Sequence, residues 1–147
     1  MDESLKNIEK NFCTNEIAKQ LKELGFDEPC MAVYYPNSAW YQYSKKLGIR
    51  NSEKGDKTFI CTSPMWQQSI DFIREKYNYD IQICFKHQDG PKVDGKKSDY
   101  YDINIYQLSG GETWKIYNFS EISNDFKYAR EFSILKAIEI IKIIKQK

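Results

Sequence analysis

Three runs in the second half of the chain alternate apolar and polar residues with a period of two, and this alternation limits the fold more than any other feature. In YDIQICF (79–85), Ile81, Ile83 and Phe85 interleave with Asp80, Gln82 and Cys84. YYDINIYQL (100–108) repeats the pattern through Tyr101, Ile103 and Ile105, and TWKIYNF (113–119) puts Trp114 and Ile116 on one face. Strands of this kind are half-buried, so one face of their sheet must be covered. The closing segment supplies the cover. Ser123 or Asn124 is placed to cap a helix that has Asp125 in its first turn and Lys142, Lys145 and Lys147 in its last, matching the helix dipole at both ends. Phe126, Ala129, Ile134, Ala137, Ile138, Ile141 and Ile144 form a wide apolar band along it.

The connections follow from turn chemistry. Ser109-Gly110-Gly111-Glu112 reads as a hairpin turn between the second and third runs. The twelve residues HQDGPKVDGKKS (87–98) read as a long polar loop. Upstream, Ser63 as N-cap and Pro64 at the first helical position open a helix whose apolar stripe is Trp66, Ile70, Ile73 and Tyr77, widened by Phe72. An earlier helix begins after Thr14 and carries Ile17, Leu21 and Leu24 on one face. It ends at ELGFDEPC (23–30). There Gly25 reads as the left-handed residue after the C-cap, Phe26 packs back on Leu21, and Pro29 turns the chain into a strand from Cys30 to Tyr35. A further short strand is expected around Trp40, Tyr41 and Tyr43, and another over Thr58 to Cys61. The polar residues 1–12 read as frayed or weakly helical. The sum is an α+β chain, read as one domain over 1–147: an antiparallel sheet of about four to six strands with helices packed mainly on one face and a long C-terminal helix.

LKELGFDEPC (21–30), the Ser-Pro start followed by WQQSIDFIREKY (66–77), and the closing AREFSILKAIEIIK (129–142) together resemble a recurrent family of small proteins carried by Bacteroidetes bacteria, their prophages and their phages. Residues 31–62 and 86–123 depart from the family pattern. The resemblance implies a phage-type or mobile-element origin and a cytoplasmic setting. It brings no activity, cofactor or catalytic residue to any position.

Composition excludes several functions. With 22 basic and 21 acidic residues in 147, the formal net charge is +1 and no long-range field selects a polyanion. Arg50, Arg74 and Arg130 are the only arginines, which weakens base and phosphate recognition further. Cys13, Cys30, Cys61 and Cys84 form no C-x-x-C, and His87 is the only histidine, so a Cys/His zinc site has no support. No signal-like or membrane-spanning apolar run is present, and an intracellular protein with reduced thiols and no membrane association is the expectation.

The search for chemistry finds neither a phosphate loop nor a hydrolase motif. Cys30 reads as a buried small apolar residue, His87 as a surface residue, and Asp71 with Glu75 as part of a solvated charged face. Asp89, Asp94 and Asp99 lack the spacing of a calcium loop, and Lys92, Lys96 and Lys97 oppose a cation. No catalytic residue, metal or cofactor is expected.

The aromatic excess, 11 Tyr, 8 Phe and 3 Trp, remains. Tyr100 and Tyr106 fall on the strand face opposite Ile103 and Ile105. The leading expectation is therefore a non-enzymatic accessory protein that binds a macromolecular partner, most simply a protein, through this sheet face or through Trp40, Tyr41 and Tyr43. The alternative is a single-stranded nucleic-acid binder using Tyr100, Tyr106 and Tyr117 with Lys86, Lys92, Lys96, Lys97 and Lys115. Oligomeric state stays open.

Overall fold

A computed structural model describes residues 3–42, 48–53 and 59–147, with the side chains of 121 and 122 left aside. Its elements are α1 (Glu3–Glu9), α2 (Asn15–Glu23), β1 (Ala32–Tyr34), β2 (Trp40–Gln42), β3 (Cys61–Thr62), α3 (Trp66–Tyr77), β4 (Tyr79–Lys86), β5 (Lys92–Val93), β6 (Lys96–Lys97), β7 (Tyr100–Ser109), β8 (Glu112–Ile122) and α4 (Phe126–Lys145). Among the described residues, four helices and eight antiparallel strands make this an α+β fold with a long C-terminal helix. The described strands are shared among three sheets, ordered β2-β1-β3, β4-β7-β8 and β5-β6. By compactness the chain divides into Met1–Ser69 and Ile70–Lys147, a division that falls within α3.

In the first unit, α2 ends as its sequence dictates. Gly25 takes φ 87°, its N–H donates to Lys22 O at 2.9 Å, and Phe26 N–H donates to Leu21 O at 2.9 Å. These are the two bonds of a Schellman cap, and Leu21 and Phe26 are both buried. Thr14 Oγ1 accepts from Ile17 N–H at the other end. After the turn, Cys30 and Ile49 exchange both backbone hydrogen bonds, at 2.9 and 2.7 Å, before β1 begins. All three residues of β1 are buried, between β2 and β3.

The start of α3 differs from its expected form. Ser63 is fully buried and continues the β3 ladder through its N–H to Ala32 O, while the Pro64 carbonyl accepts from Cys13 N–H. The helix begins at Trp66, and Gln68 Oε1 reaches back to Met65 N–H at 2.9 Å. That is one half of a capping box, and it replaces the Ser-Pro cap.

In the second unit, β4 pairs with β7 from Tyr79↔Gln107 to Lys86↔Tyr100 without interruption. The β7–β8 hairpin turns at Gly110 and Gly111, with φ 58° and 84°, the left-handed pair a two-residue turn requires. Its register shifts twice, between Tyr101/Ile103 and between Ile105/Tyr106. Asp125 caps α4 by accepting from Lys127 N–H at 2.9 Å, and Ser123 Oγ in turn accepts from Asp125 N–H. The helix lies over β4 and β7. Ala129, Ile134, Ala137, Ile138 and Ile141 of its band are buried with Ile81, Ile103 and Ile105, whereas Phe126 and Ile144 at its two ends are exposed.

The stretch 87–98 is not a structureless loop. Lys92↔Lys97 and Val93↔Lys96 form a small hairpin turned by Asp94 and Gly95, with φ 50° and 79°, and Ser98 N–H donates to Pro91 O across its base. The Asp-Gly dipeptide is the signal that foretells such a turn.

Candidate functional site

Directly paired residues share a sheet face, so the register of β4-β7-β8 sorts its side chains into two sets. The α4 side holds Tyr101, Tyr117 and Phe119. Their rings meet Phe126 at 5.5 Å, Lys136 Nζ at 5.2 Å and Phe132 at 5.2 Å. The opposite side holds Asp80, Gln82, Cys84 and Lys86 from β4, Tyr100, Asp102, Asn104 and Tyr106 from β7, and Lys115, Asn118 and Ser120 from β8. Gln82, Lys115 and Asn118 are exposed, so this side faces solvent.

A hydrogen-bond network occupies the middle of that open face. Asn104 Nδ2 donates to Asp102 Oδ2 at 3.3 Å, and Asn118 Nδ2 donates to Asp102 Oδ1 at 3.1 Å and to Asn104 Oδ1 at 2.8 Å. Ser120 Oγ lies 3.0 Å from both Asp102 Oδ1 and Asn118 Oδ1. Partial burial pushes the Asp102 carboxyl upward, but the bonds from Ser120, Asn104 and Asn118, with the Lys86 charge, outweigh it and hold the group below its usual range. Asp102 is therefore an ionised acceptor at the centre, its neighbours oriented around it.

Tyrosines and lysines frame the network. Lys86 pairs in register with Tyr100 at one end, and Lys115 Nζ stands 5.6 Å from the Tyr106 ring centroid at the other. Both tyrosines are half-buried. At the Tyr106 corner, Arg74 binds Asp80 at 2.8 Å and Asp71 at 3.4 Å, the charged helix face expected of that segment.

The expected binding residues fall in four places. Tyr100, Tyr106 and Lys86 do share the open face, with Lys115. Tyr117 does not: its half-buried ring lies on the α4 side beneath Lys136, because the second register shift moves β8 by one residue between Lys115 and Tyr117. Lys92, Lys96 and Lys97 are exposed on the β5–β6 hairpin, where a shallow hollow of about 280 Å³ is lined by Gln88, Lys96 and Lys97. Lys97 also pairs with Asp89 at 3.9 Å. In the first unit, half-buried Trp40 packs on the Ala18–Tyr34–Cys61 cluster, its ring 5.2 Å from Phe12, and donates from Nε1 to Ser63 Oγ at 3.2 Å. These contacts make it part of the packing of that unit. Tyr41 is 55% exposed, edge-on to Tyr35, and Tyr43 lies outside the described residues.

The remaining candidates are structural. Burial pushes the Cys30 thiol up to about 12 and the Cys61 thiol to about 11, far from an activated thiolate. His87 is exposed, its Nδ1 2.9 Å from Asp99 Oδ1. Among the described residues, no group of three or more His, Cys, Asp or Glu converges on a metal-sized site. Nor is any helix among them long and apolar enough to cross a membrane. What sequence reading missed is the Asp102–Asn104–Asn118–Ser120 network, whose only sequence signal is that all four alternate with Ile103, Ile105 and Phe119.

Compared with models of protein families, with curated proteins and with solved structures, the chain matches none.

Proposed function

We propose that this chain is a non-enzymatic accessory protein of phage-type origin, acting in the host cytoplasm, that binds a protein partner through the open face of β4-β7-β8. The observation that carries the reading is the oriented network around ionised Asp102, framed by Tyr100 and Tyr106. A face whose hydrogen-bonding groups are already positioned loses little entropy on docking, and rim tyrosines add contact area at low rotamer cost. A carboxylate fixed at the centre suits a donor-bearing protein surface. It repels a phosphate chain.

Single-stranded nucleic acid is the second reading, favoured by the position of Lys86 beside Tyr100 and of Lys115 over Tyr106. Affinity capture from host lysate, split into nuclease-treated and untreated halves, separates the two. We expect a protein retained after nuclease by the wild type and lost by the double variant Tyr100→Ala/Tyr106→Ala. Retention by that variant removes the open face as the docking surface. Nucleic acid recovered from the untreated half, with every protein lost on digestion, instead favours the second reading.

A further inference from the structure

The sheet of the second unit is covered unevenly. Because α4 lies over β4 and β7, only its flank reaches β8, where Phe132 meets Phe119 and stacks in turn on Tyr128 at 6.2 Å. The outer strand consequently leaves Trp114 57% and Phe119 38% exposed on that side, with Tyr128 of α4 51% exposed next to the Phe119–Phe132 contact. β8 is also an edge. Eight of its eleven residues pair with β7 on one side and, among the described residues, none pairs with a strand on the other, and the segment contains no proline. A row of unpaired backbone donors and acceptors is complementary to one thing, another extended strand.

The sequence of β8 supplies that strand. The two register shifts fall either side of Tyr117–Phe119, which pairs regularly with Ile105–Ile103 and has Asn118 at its centre. An antiparallel pairing of two copies about Asn118 sets Tyr117 against Phe119 of the second copy, Trp114 against its Ile122, and Lys115 against its Glu121. Aromatic therefore meets aromatic and opposite charges fall in register. At a net charge of +1 the two copies repel each other little.

We infer that the chain forms a two-fold dimer by antiparallel pairing of β8 with β8 of a second copy. The product is one sheet ordered β4-β7-β8-β8-β7-β4. A two-fold axis normal to that sheet leaves both α4 helices on the same side, so the two exposed strips of Trp114, Phe119 and Tyr128 close on each other as a shared core. The two open faces become one continuous platform. The inference stands apart from the identity of whatever binds there.

Sedimentation equilibrium of the purified chain from about 1 to about 200 µM tests it, together with hydrogen exchange at the two ends of that range. We expect a mass rising from 17.4 kDa toward twice that value, with amide protection gained in β8 and not in β4, the other edge. Phe119→Lys brings like charges within two residues of each other across the two-fold, and Trp114→Lys sets a charge against Ile122 of the second copy; each, checked for a native circular dichroism spectrum, raises the dissociation constant at least about tenfold. A monomer throughout the range overturns the inference. So does a dimer whose β8 amides exchange equally fast at both concentrations, a result that needs no variant to fold.

Discussion

Asp102 shows what a single residue contributes that its sequence position does not disclose. The alternation of β7 places it opposite the buried isoleucines, but its role depends on Asn118 and Ser120, sixteen and eighteen residues away. Which β8 residues stand beside it is decided by the register shift between Tyr101 and Ile103, and no periodicity reports a bulge. Asp102→Ala removes the acceptor from three donors at once. On a solvent-facing sheet this is expected to cost about 1 kcal/mol at neutral pH, at the low end for unsatisfied groups. Because the folded carboxyl titrates below its unfolded value, its contribution is complete above the ordinary carboxylate range and disappears as pH falls through the lowered value. Urea unfolding of wild type and variant should therefore differ at pH 7 and converge in acid. A gap that persists in acid would mean the ionised form is not what stabilises the network. Cys30, by contrast, was legible as an isolated residue. A small apolar side chain after a turn was expected to be buried, and burial is what removes its reactivity.

At the scale of the element, caps and turns were readable where one residue type has one physical reason to be there. Gly25 is such a case, since a left-handed φ of 87° excludes nearly everything else. Gly25→Ala is expected to lose about 1–2 kcal/mol, the cost of a Cβ in that conformation, measured as a lower denaturation midpoint with an unchanged denaturant slope. An unchanged midpoint would show that the two cap hydrogen bonds do not depend on the glycine. Ser63-Pro64 misled for an equally local reason. Both residues favour a helix start, but the β3 ladder takes the Ser63 N–H first, and Gln68 caps the helix two residues later. The β5–β6 hairpin was hidden by polarity, because its ladder residues are lysines and a valine without a buried face, although Asp94-Gly95 announced the turn.

For the whole molecule, the order of elements was legible and their partnerships were not. Periodicity states which face of a strand is apolar; it does not state whether β1 pairs with β3 or with a strand forty residues further on. The division of the described strands among three sheets is settled by such choices. Charge is the whole-molecule property the sequence does state outright, and it makes the last prediction. With 22 basic and 21 acidic groups distributed over one chain, the proposed dimer gains nothing from long-range attraction. Its stability would come from backbone pairing and the burial of Trp114, Phe119 and Tyr128, none of which salt screens. Raising salt from about 0.05 to about 0.5 M should therefore leave the dissociation constant within about threefold, since Lys115–Glu121 is the one opposite-charge pair in that register. Nucleic acid held by Lys86 and Lys115 should respond in the opposite way, its affinity falling steeply as counterions compete for the phosphates. Sedimentation of the chain alone and titration with a short fluorescent oligonucleotide, both across that salt range, separate the two surfaces by slope. A dimer that dissociates with salt as steeply as an oligonucleotide complex would place the contact on the charged open face and remove it from the β8 edge.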